Sequence, residues 1–283
     1  MPSFVHHLFQ TPFGIGALLY LASLVASGLA FATGRSAFDR ASLATFAAAV
    51  LVNLGAIGQR WIAFGQPPFR SLFESMTLLG ACLGLLGIAF AALYRSRALT
   101  MGMSAAALSA LAFALTRFDA TPSLLPPALR SVWFIPHVVL YFFGYAFLAL
   151  SALIAILHLW RTRAGHRPPP SSRDLWTLAD QTLRLGFVLM SFALVIGSVW
   201  AKSAWGDYWT WDPKENWALA TWLFYAAYLC LSRRAAWRHS RAAAFFPPTG
   251  LLLILFTYLG MGLLPTADES AHVYLQTETS QTR

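Results

Sequence analysis

The chain has 283 residues, of which 58% are hydrophobic, 15% aromatic and only 11% charged. A soluble domain devotes about a quarter of its residues to charge, so the composition excludes an ordinary soluble domain. The net charge of +9 does not indicate a nucleic-acid partner, because the arginines fall in short loops between apolar runs and not on one basic face.

The apolar runs predict an all-α fold, a single polytopic membrane domain over residues 1–283 with about eight transmembrane helices. A spanning helix needs about 20 apolar residues and satisfies its own backbone groups in lipid. No run alternates between apolar and polar residues as a barrel strand would. In chain order the predicted spans are 13–33, 42–63, 74–94, 99–116, 133–160, 180–201, 217–232 and 246–265, with the fourth and seventh the shortest.

The N-terminus and the cysteines narrow the class further. Residues 1–10 lack the basic region of a cleaved signal peptide, so we expect the first run to be a retained helix. Cys82 and Cys230 both lie inside apolar runs, and no CxxC occurs. The chain is therefore expected to be neither a dithiol oxidoreductase nor a c-type cytochrome.

Arginine placement predicts the orientation. With eight spans, four basic loops fall on one side, and this side is expected to be cytoplasmic. A proline-containing cytoplasmic linker, 161–174, is one of them. The aromatic loop 202–216, both termini and the C-terminal tail 266–283 then face outward. The other basic loops hold Arg35, Arg40, Arg95, Arg97, Arg233, Arg234, Arg238 and Arg241.

The segment before the seventh predicted span is crowded with aromatic side chains. An interfacial belt accounts for Trp and Tyr at the headgroup level. A flat platform for a large planar ligand accounts for their concentration in one loop. Composition alone does not choose between the two. The residues concerned are Trp200, Trp205, Tyr208, Trp209, Trp211, Trp217 and Trp222.

Within this segment, Asp212-Pro213-Lys214-Glu215 predicts a helix start. Asp212 suits the N-cap, Pro213 the first helical position and Glu215 the third, where its side chain can reach back to the cap. Such a cap stabilises by roughly 1 kcal/mol. We therefore predict no acid–base catalytic residue here.

The run WGDYWTWDPKENWALATW closely resembles the WWD signature of the haem-handling membrane proteins of cytochrome c biogenesis, in their CcsA (ResC) branch. Supporting matches are GSVWAKSAW just before it, residues 71–75 and residues 133–138. The similarity extends over most of the chain from about residue 60 onward. The CcmF branch is longer than this chain, and the CcmC branch lacks the DPKE-x-W flank.

This resemblance implies a protein that binds haem, with haem b as the substrate, and presents it on the outer face of the membrane. Two outer histidines would hold the iron. A CcsB (ResB)-like membrane partner would complete the synthase that attaches haem to a CxxCH apocytochrome c. The host membrane would be a bacterial inner or plasma membrane, with the thylakoid membrane as the alternative. The implied haem seat is Trp205, Tyr208, Trp209, Trp211, Asp212 and Trp217.

Topology limits which histidines could serve. On one helix, His158 would lie about 31 Å from His137, so one iron cannot take both. His166 and His239 fall in basic inner loops, which leaves His137 and His272 as the outer pair. His6 and His7 are the reserves. Taken singly, each histidine is more simply an interface residue, but the Trp-x-x-x-His-Val context of His137 matches the resembled family.

This chain departs from the resembled family at two positions, and one point stays open. The family has Gly-Leu-His-Ser-Tyr where this chain has Ser-Ala-His272-Val-Tyr. It also has Tyr-Leu-His where this chain has Tyr-Leu-Cys230, and we expect this cysteine to be an inert small hydrophobe. The cations that would pair with haem propionates stay open among Arg60, Arg70, Arg130, Lys202 and Lys214.

Three other functions remain as alternatives. A haem exporter or chaperone would bind haem without an attachment step. A transporter of another amphipathic substrate would place charges toward a midplane cavity, whereas the predicted spans offer mainly Asn53 and Gln59. A non-haem scaffold would use its tryptophans only as anchors.

Overall fold

A computed structural model describes residues 11–117, 126–163, 175–238 and 240–260 of the chain. Over these ranges the backbone is helical with short connections, and no strand occurs in them. The chain divides into two compact units, residues 1–125 and 126–283.

The first unit contains four helices. They are α1 (Pro12–Thr33), α2 (Ser36–Phe64), α3 (Leu72–Tyr94) and α4 (Arg97–Leu115). α1 packs against α2 and α4, and α3 packs against α2 and α4. Helices α1 and α2 each end at a glycine in the left-handed region, Gly34 at φ 69° and Gly65 at φ 65°, where a side chain would be strained.

Small hydroxyl side chains join three of these helices. Ser23 of α1, Ser42 of α2 and Ser104 of α4 are buried, and hydrogen bonds of 2.9 to 3.3 Å connect Ser23 to the other two. Ser27 and Ser42 are 2.6 Å apart. In a membrane such serines allow close backbone approach and supply hydrogen bonds between helices, since lipid offers no partner.

A buried ion pair links α2 to the start of α3. Arg60 Nε donates to Glu74 Oε1 at 2.9 Å, and both side chains are nearly inaccessible, at 12% and 9% exposure. The guanidinium also lies over the rings of Phe64 and Phe73. Glu74 completes a capping box with Ser71, so its carboxylate caps α3 as well as pairing with Arg60.

The second unit contains two long helices, α5 (Phe134–Arg163) and α6 (Leu175–Trp205), and several shorter elements. Helices α5 and α6 approach closely where Gly144 faces Gly186. A Cβ at Gly144 would lie only 3.2 Å from the carbonyl oxygen of Gly186. The shorter elements are the 3₁₀ turn Pro127–Arg130, α7 (Pro213–Leu231), α8 (Ala235–Arg238), α9 (Arg241–Leu255) and a π-helical turn, Phe256–Gly260. The 3₁₀ turn precedes α5, and α9 packs against α5 and α7.

Seven helices within the described residues are long and apolar enough to cross a membrane: α1 to α6, and α9 together with the π-turn. The prediction of an all-α polytopic membrane bundle is thus confirmed. Each of the eight predicted spans is helical over all but at most one end residue of its described part, but α7, with 19 residues, is not among the seven. Its first turn carries Lys214, Glu215 and Asn216, whose polarity lowers the hydropathy of the whole helix.

Candidate functional site

The imidazole of His137 is held in a defined orientation in the first turn of α5. Its Nδ1 lies 2.9 Å from the carbonyl oxygen of Ala193, in the middle of α6. A carbonyl can only accept, so Nδ1 donates and the lone pair of the neutral ring is on Nε2. Histidines that ligate metals are commonly oriented by such a bond from the second ring nitrogen.

Gly197 and Trp200 of α6 form the surroundings of this ring. A Cβ at Gly197 would overlap the imidazole, so the ring occupies the space that glycine leaves. The indole of Trp200 stacks on the imidazole with centroids 5.4 Å apart and planes 26° from parallel. Trp200 is itself fixed, since its Nε1 donates to the carbonyl oxygen of Ala128 at 2.8 Å.

This stack reaches the predicted aromatic residues through Trp205. The rings of Trp200 and Trp205 meet edge to face with centroids 4.7 Å apart, and Tyr141 lies nearly perpendicular to the His137 ring with centroids 5.0 Å apart. The structure therefore brings two of the predicted site residues, His137 and Trp205, into one aromatic column by way of Trp200.

The connection between α6 and α7 is shorter than the predicted loop 202–216. α6 continues through Trp205, and Gly206 follows at φ 93°, a conformation that glycine adopts without strain. The Lys202 ammonium closes this turn by donating to the carbonyl of Gly206. Only residues 206–212 between these two helices are non-helical, so four of the predicted site residues lie on one short connection: Asp212 and the three aromatic residues Tyr208, Trp209 and Trp211.

Two of those three aromatic side chains are exposed. Tyr208 is 59% exposed and Trp211 is 68% exposed. Trp211 has φ 59°, which is unusual for a residue with a bulky side chain. The Trp209 ring meets that of Trp211 edge to face at 6.0 Å, and the Trp209 Nε1 is buried without an acceptor among the described residues.

The predicted capping box at the start of α7 is confirmed. Asp212 Oδ1 accepts from the N–H of Lys214 at 2.8 Å, and Glu215 Oε2 accepts from the N–H groups of Asp212 and Thr210. Both carboxylates are buried. Asp212 and Glu215 thus hold the end of the aromatic connection in place.

Two side chains near the start of α7 contact the π-turn: Lys214 in the first turn and Trp217 just after it. The Lys214 ammonium lies over the ring of Tyr258, and Trp217 packs on Phe256 at 4.5 Å. Burial lowers the pKa of Lys214 to about 8, while the Asp212 carboxylate opposes that shift. Lys214 is therefore still a cation at neutral pH, and it is a partly buried one.

Several predicted residues lie outside the described part of the chain. These are His272 and the tail 266–283, the linker segment 164–174, and four further histidines, His6, His7, His166 and His239. The pairing of His137 with His272 consequently stays a prediction. Cys230 is exposed on α7.

Sequence reasoning missed two residues that shape the site. Trp200 belongs to the predicted aromatic segment but not to the predicted haem seat, although it is the ring on which His137 stacks. Gly197 begins the supporting match GSVWAKSAW, but the sequence assigns it no role of its own. Its spacing of three residues before Trp200 places both on one face of α6, and that spacing was the signal that could have pointed to them.

Together these observations define a helical membrane protein whose second unit carries an oriented histidine at an aromatic end. The profile of a family described as cytochrome c assembly protein matches residues 70–267. The chain therefore belongs to the cytochrome c assembly family, as the resemblance predicted.

Within this family, the chain is similar over most of its length to proteins named CcsA. The chain is 30% identical to the cytochrome c biogenesis protein CcsA of Guillardia theta, over 91% of this chain and 94% of that protein. It is 31% identical to CcsA of a Prochlorococcus marinus strain, over 93% and 96%. It is 32% identical to CcsA of Chlamydomonas reinhardtii, over 76% and 63%.

A solved structure supports the fold. The cytochrome c haem lyase CcmF superposes with a TM-score of 0.65 at 18% identity, over 88% of this chain. This chain spans less than half of CcmF, since the match covers 46% of that protein. At this level of identity the likeness establishes the fold alone.

Proposed function

We propose that this protein binds haem and presents it for covalent attachment to apocytochrome c, as the membrane subunit of a haem-attachment synthase. His137 and His272 would hold the haem iron. The surrounding seat would be Trp205, Tyr208, Trp209, Trp211, Asp212 and Trp217.

The orientation of His137 is the observation that carries this proposal. A haem ligand must be a neutral imidazole with its lone pair on the nitrogen that meets the iron. The bond from Nδ1 to the Ala193 carbonyl supplies that tautomer, and the Trp200 stack restrains the ring. A histidine that served only at the lipid interface would not require a glycine opposite its ring.

The aromatic connection suits the remaining part of a planar ligand. Tyr208 and Trp211 are exposed rings on a connection that the Asp212–Glu215 cap holds in place. The buried Nε1 of Trp209 lacks an acceptor within the described residues and can donate to a ligand. Asp212 acts in this proposal by positioning the connection and not by touching the iron.

Haem supplies the reactive vinyl groups, and the apocytochrome supplies the CxxCH thiols. The residues of this chain would orient the haem and shield it from solvent. A CcsB (ResB)-like partner would complete the catalytic unit. The connection 206–212 and the tail with His272 would then share the outer side of the membrane.

The test is the visible spectrum of the purified chain. His137→Ala and His272→Ala should each lower the haem bound per protein, and the double variant should lose it. His158→Ala is the matched control, because it removes a histidine from the same helix about 31 Å away. A double variant with unchanged haem content would disprove the ligand assignment.

Attachment needs a second measurement. The chain is combined with a CcsB-like partner and a CxxCH apocytochrome, and thioether-linked haem is measured after denaturation. If the product forms equally well without this chain, the attachment role is wrong. Haem bound by this chain in that case would instead identify a haem chaperone.

A further inference from the structure

The end of α6 opposite the aromatic column contains a buried carboxylate surrounded by arginines. Asp180 is 1% exposed, and it lies 25 residues from Trp205, about 38 Å along the helix. Arg184 reaches both of its oxygens, through Nε at 3.0 Å and through the terminal nitrogen at 3.2 Å. Arg238 of α8 donates to Asp180 Oδ2 at 2.9 Å.

Two hydroxyl groups take part in the hydrogen bonds around Asp180, one bonded to its carboxylate and the other to Arg184. Tyr228 donates its hydroxyl to Asp180 Oδ1 at 2.8 Å, and Arg184 also donates to the Ser232 hydroxyl at 2.9 Å. With these bonds the carboxylate has four donated hydrogen bonds and needs no further partner. Asp180 thus positions two guanidinium groups at one end of the unit.

Positive charge is in excess at this end. Asp180 is the only carboxylate in the described residues from 175–205 and 226–250, and two arginines share it. Arg233, Arg234 and Arg241, all exposed, are close to Arg238 in the chain. One carboxylate cannot neutralise this set, so a further anion would be stabilised here.

Arg238 has hydrogen-bonding capacity that the described residues do not use. Its Nε is buried and has no acceptor among them. Its side chain is nevertheless 38% exposed, so an external group can reach the guanidinium. An external anion at the exposed part of this side chain would offset the excess charge, which the Asp180 carboxylate alone does not neutralise.

The surroundings of Arg238 are those of a membrane interface. The neighbouring Trp237 packs its indole on Tyr228 and Phe246. Tryptophan favours the headgroup level, and basic clusters at the ends of membrane helices attract anionic lipids. The chemistry favours a phosphate ester, since guanidinium forks bind phosphate oxygens well.

We propose that Arg238 and Arg184, arranged by Asp180, bind the phosphate of an anionic phospholipid headgroup. Arg233, Arg234 and Arg241 add attraction around this headgroup site. The site lies at the end of α6 opposite the proposed haem ligand and does not depend on haem binding. Failure of either proposal therefore leaves the other standing.

The test measures lipid retention by the intact, delipidated chain in detergent. Phosphatidylglycerol or phosphatidylcholine is titrated in, and bound lipid is counted by native mass spectrometry alongside the melting temperature. The wild-type chain should retain phosphatidylglycerol in preference to phosphatidylcholine. Arg238→Gln should weaken phosphatidylglycerol binding by about tenfold, since it removes both the charge and a guanidinium fork.

Two further variants keep the result interpretable. Arg40→Gln removes one exposed arginine near the start of α2, in another basic segment, and should leave phosphatidylglycerol binding unchanged. Arg238→Lys keeps the charge without the fork and should give an intermediate loss, and it replaces Arg238→Gln if that variant does not fold. Equal phosphatidylglycerol retention in wild type and Arg238 variants would disprove the site.

Two other outcomes would also overturn the proposal. If the wild type shows no preference for phosphatidylglycerol, the excess charge is balanced within the chain. If inorganic phosphate alone raises the melting temperature as much as phosphatidylglycerol does, the site takes a soluble anion and not a lipid.

Discussion

Gly197 determines where the ring of His137 can lie. The space left by the missing Cβ is filled by the imidazole, which then reaches the Ala193 carbonyl and the face of Trp200. These three contacts come from successive turns of one face of α6. The position of the His137 ring, the proposed iron ligand, is therefore set by three residues of α6 that would not contact the iron themselves.

Gly197→Ala is predicted to displace the imidazole and to lower haem content severalfold. Alanine otherwise favours a helix over glycine by up to about 1 kcal/mol, so the loss would not come from helix propensity. Gly28→Ala is the matched control, because an added methyl group there would meet no atom within 4 Å. Haem per protein and melting temperature are measured for both, and equal haem content would contradict the role of Gly197.

Trp211 combines an exposed ring with a strained backbone. A positive φ costs a residue with a side chain about 1–2 kcal/mol, and glycine avoids that cost. Trp211→Gly and Trp211→Ala should lose haem to the same extent, because both remove the ring. The free energy of unfolding, measured with denaturant, should be about 1 kcal/mol higher for Trp211→Gly than for Trp211→Ala. Equal stability of the two variants would show that the backbone is not strained.

At the level of elements, the start of α7 controls the aromatic connection. The helix begins at Pro213, with Asp212 and Glu215 satisfying backbone N–H groups on both sides of that proline. Residues 207–211 belong to neither helix, so their position depends on this cap and on the end of α6, where the Gly206 N–H still donates to the Lys202 carbonyl oxygen at 3.2 Å. Loss of the cap would release the connection that carries Trp209 and Trp211.

Asp212→Ala is predicted to reduce the free energy of unfolding by about 1 kcal/mol, and Asp212→Asn by only a few tenths, because asparagine also caps helices. Haem content should follow the same order. The measurements are denaturant unfolding in micelles and the visible spectrum. If Asp212→Asn lost haem as severely as Asp212→Ala, the negative charge of Asp212 would be needed and the capping explanation would be insufficient.

At the level of the whole molecule, the function requires particular segments on one side of the membrane. The arginine-rich loops predict that the connection 206–212 and the C-terminal tail face outward, and that the turn at Gly34 faces the cytoplasm. Seven of the described helices are long and apolar enough for such crossings, and the outward position of the tail also requires α7 to cross. The side on which each segment lies is a prediction that labelling can test.

Single cysteines introduced as Gly206→Cys, Ser270→Cys and Gly34→Cys provide this test, with Cys82 and Cys230 replaced by alanine. An impermeant maleimide applied to intact cells should label the first two and leave the third unlabelled until the membrane is opened. Labelling of Gly206→Cys and Ser270→Cys from opposite sides would rule out a shared haem site for His137 and His272.

Much of the fold followed from local patterns. Apolar runs of about 20 residues are sufficient to define membrane helices, because lipid leaves the backbone few alternatives. The cap at Asp212 and Glu215 was also predictable, since all of its groups lie within a few residues of one another. The predicted limits were less accurate where a helix is longer than the lipid core requires, as α6 is with 31 residues.

The sequence alone determined the all-helical membrane architecture, the aromatic segment and the family resemblance, because each depends on composition or on residues adjacent in the chain. Only the tertiary structure decided that His137 donates to Ala193, stacks on Trp200 and fills the space beside Gly197. Those partners are 56 to 63 residues away along the chain, and no local pattern specifies which turns of α5 and α6 meet. The packing of the two helices, allowed by glycines at their crossing, makes that choice.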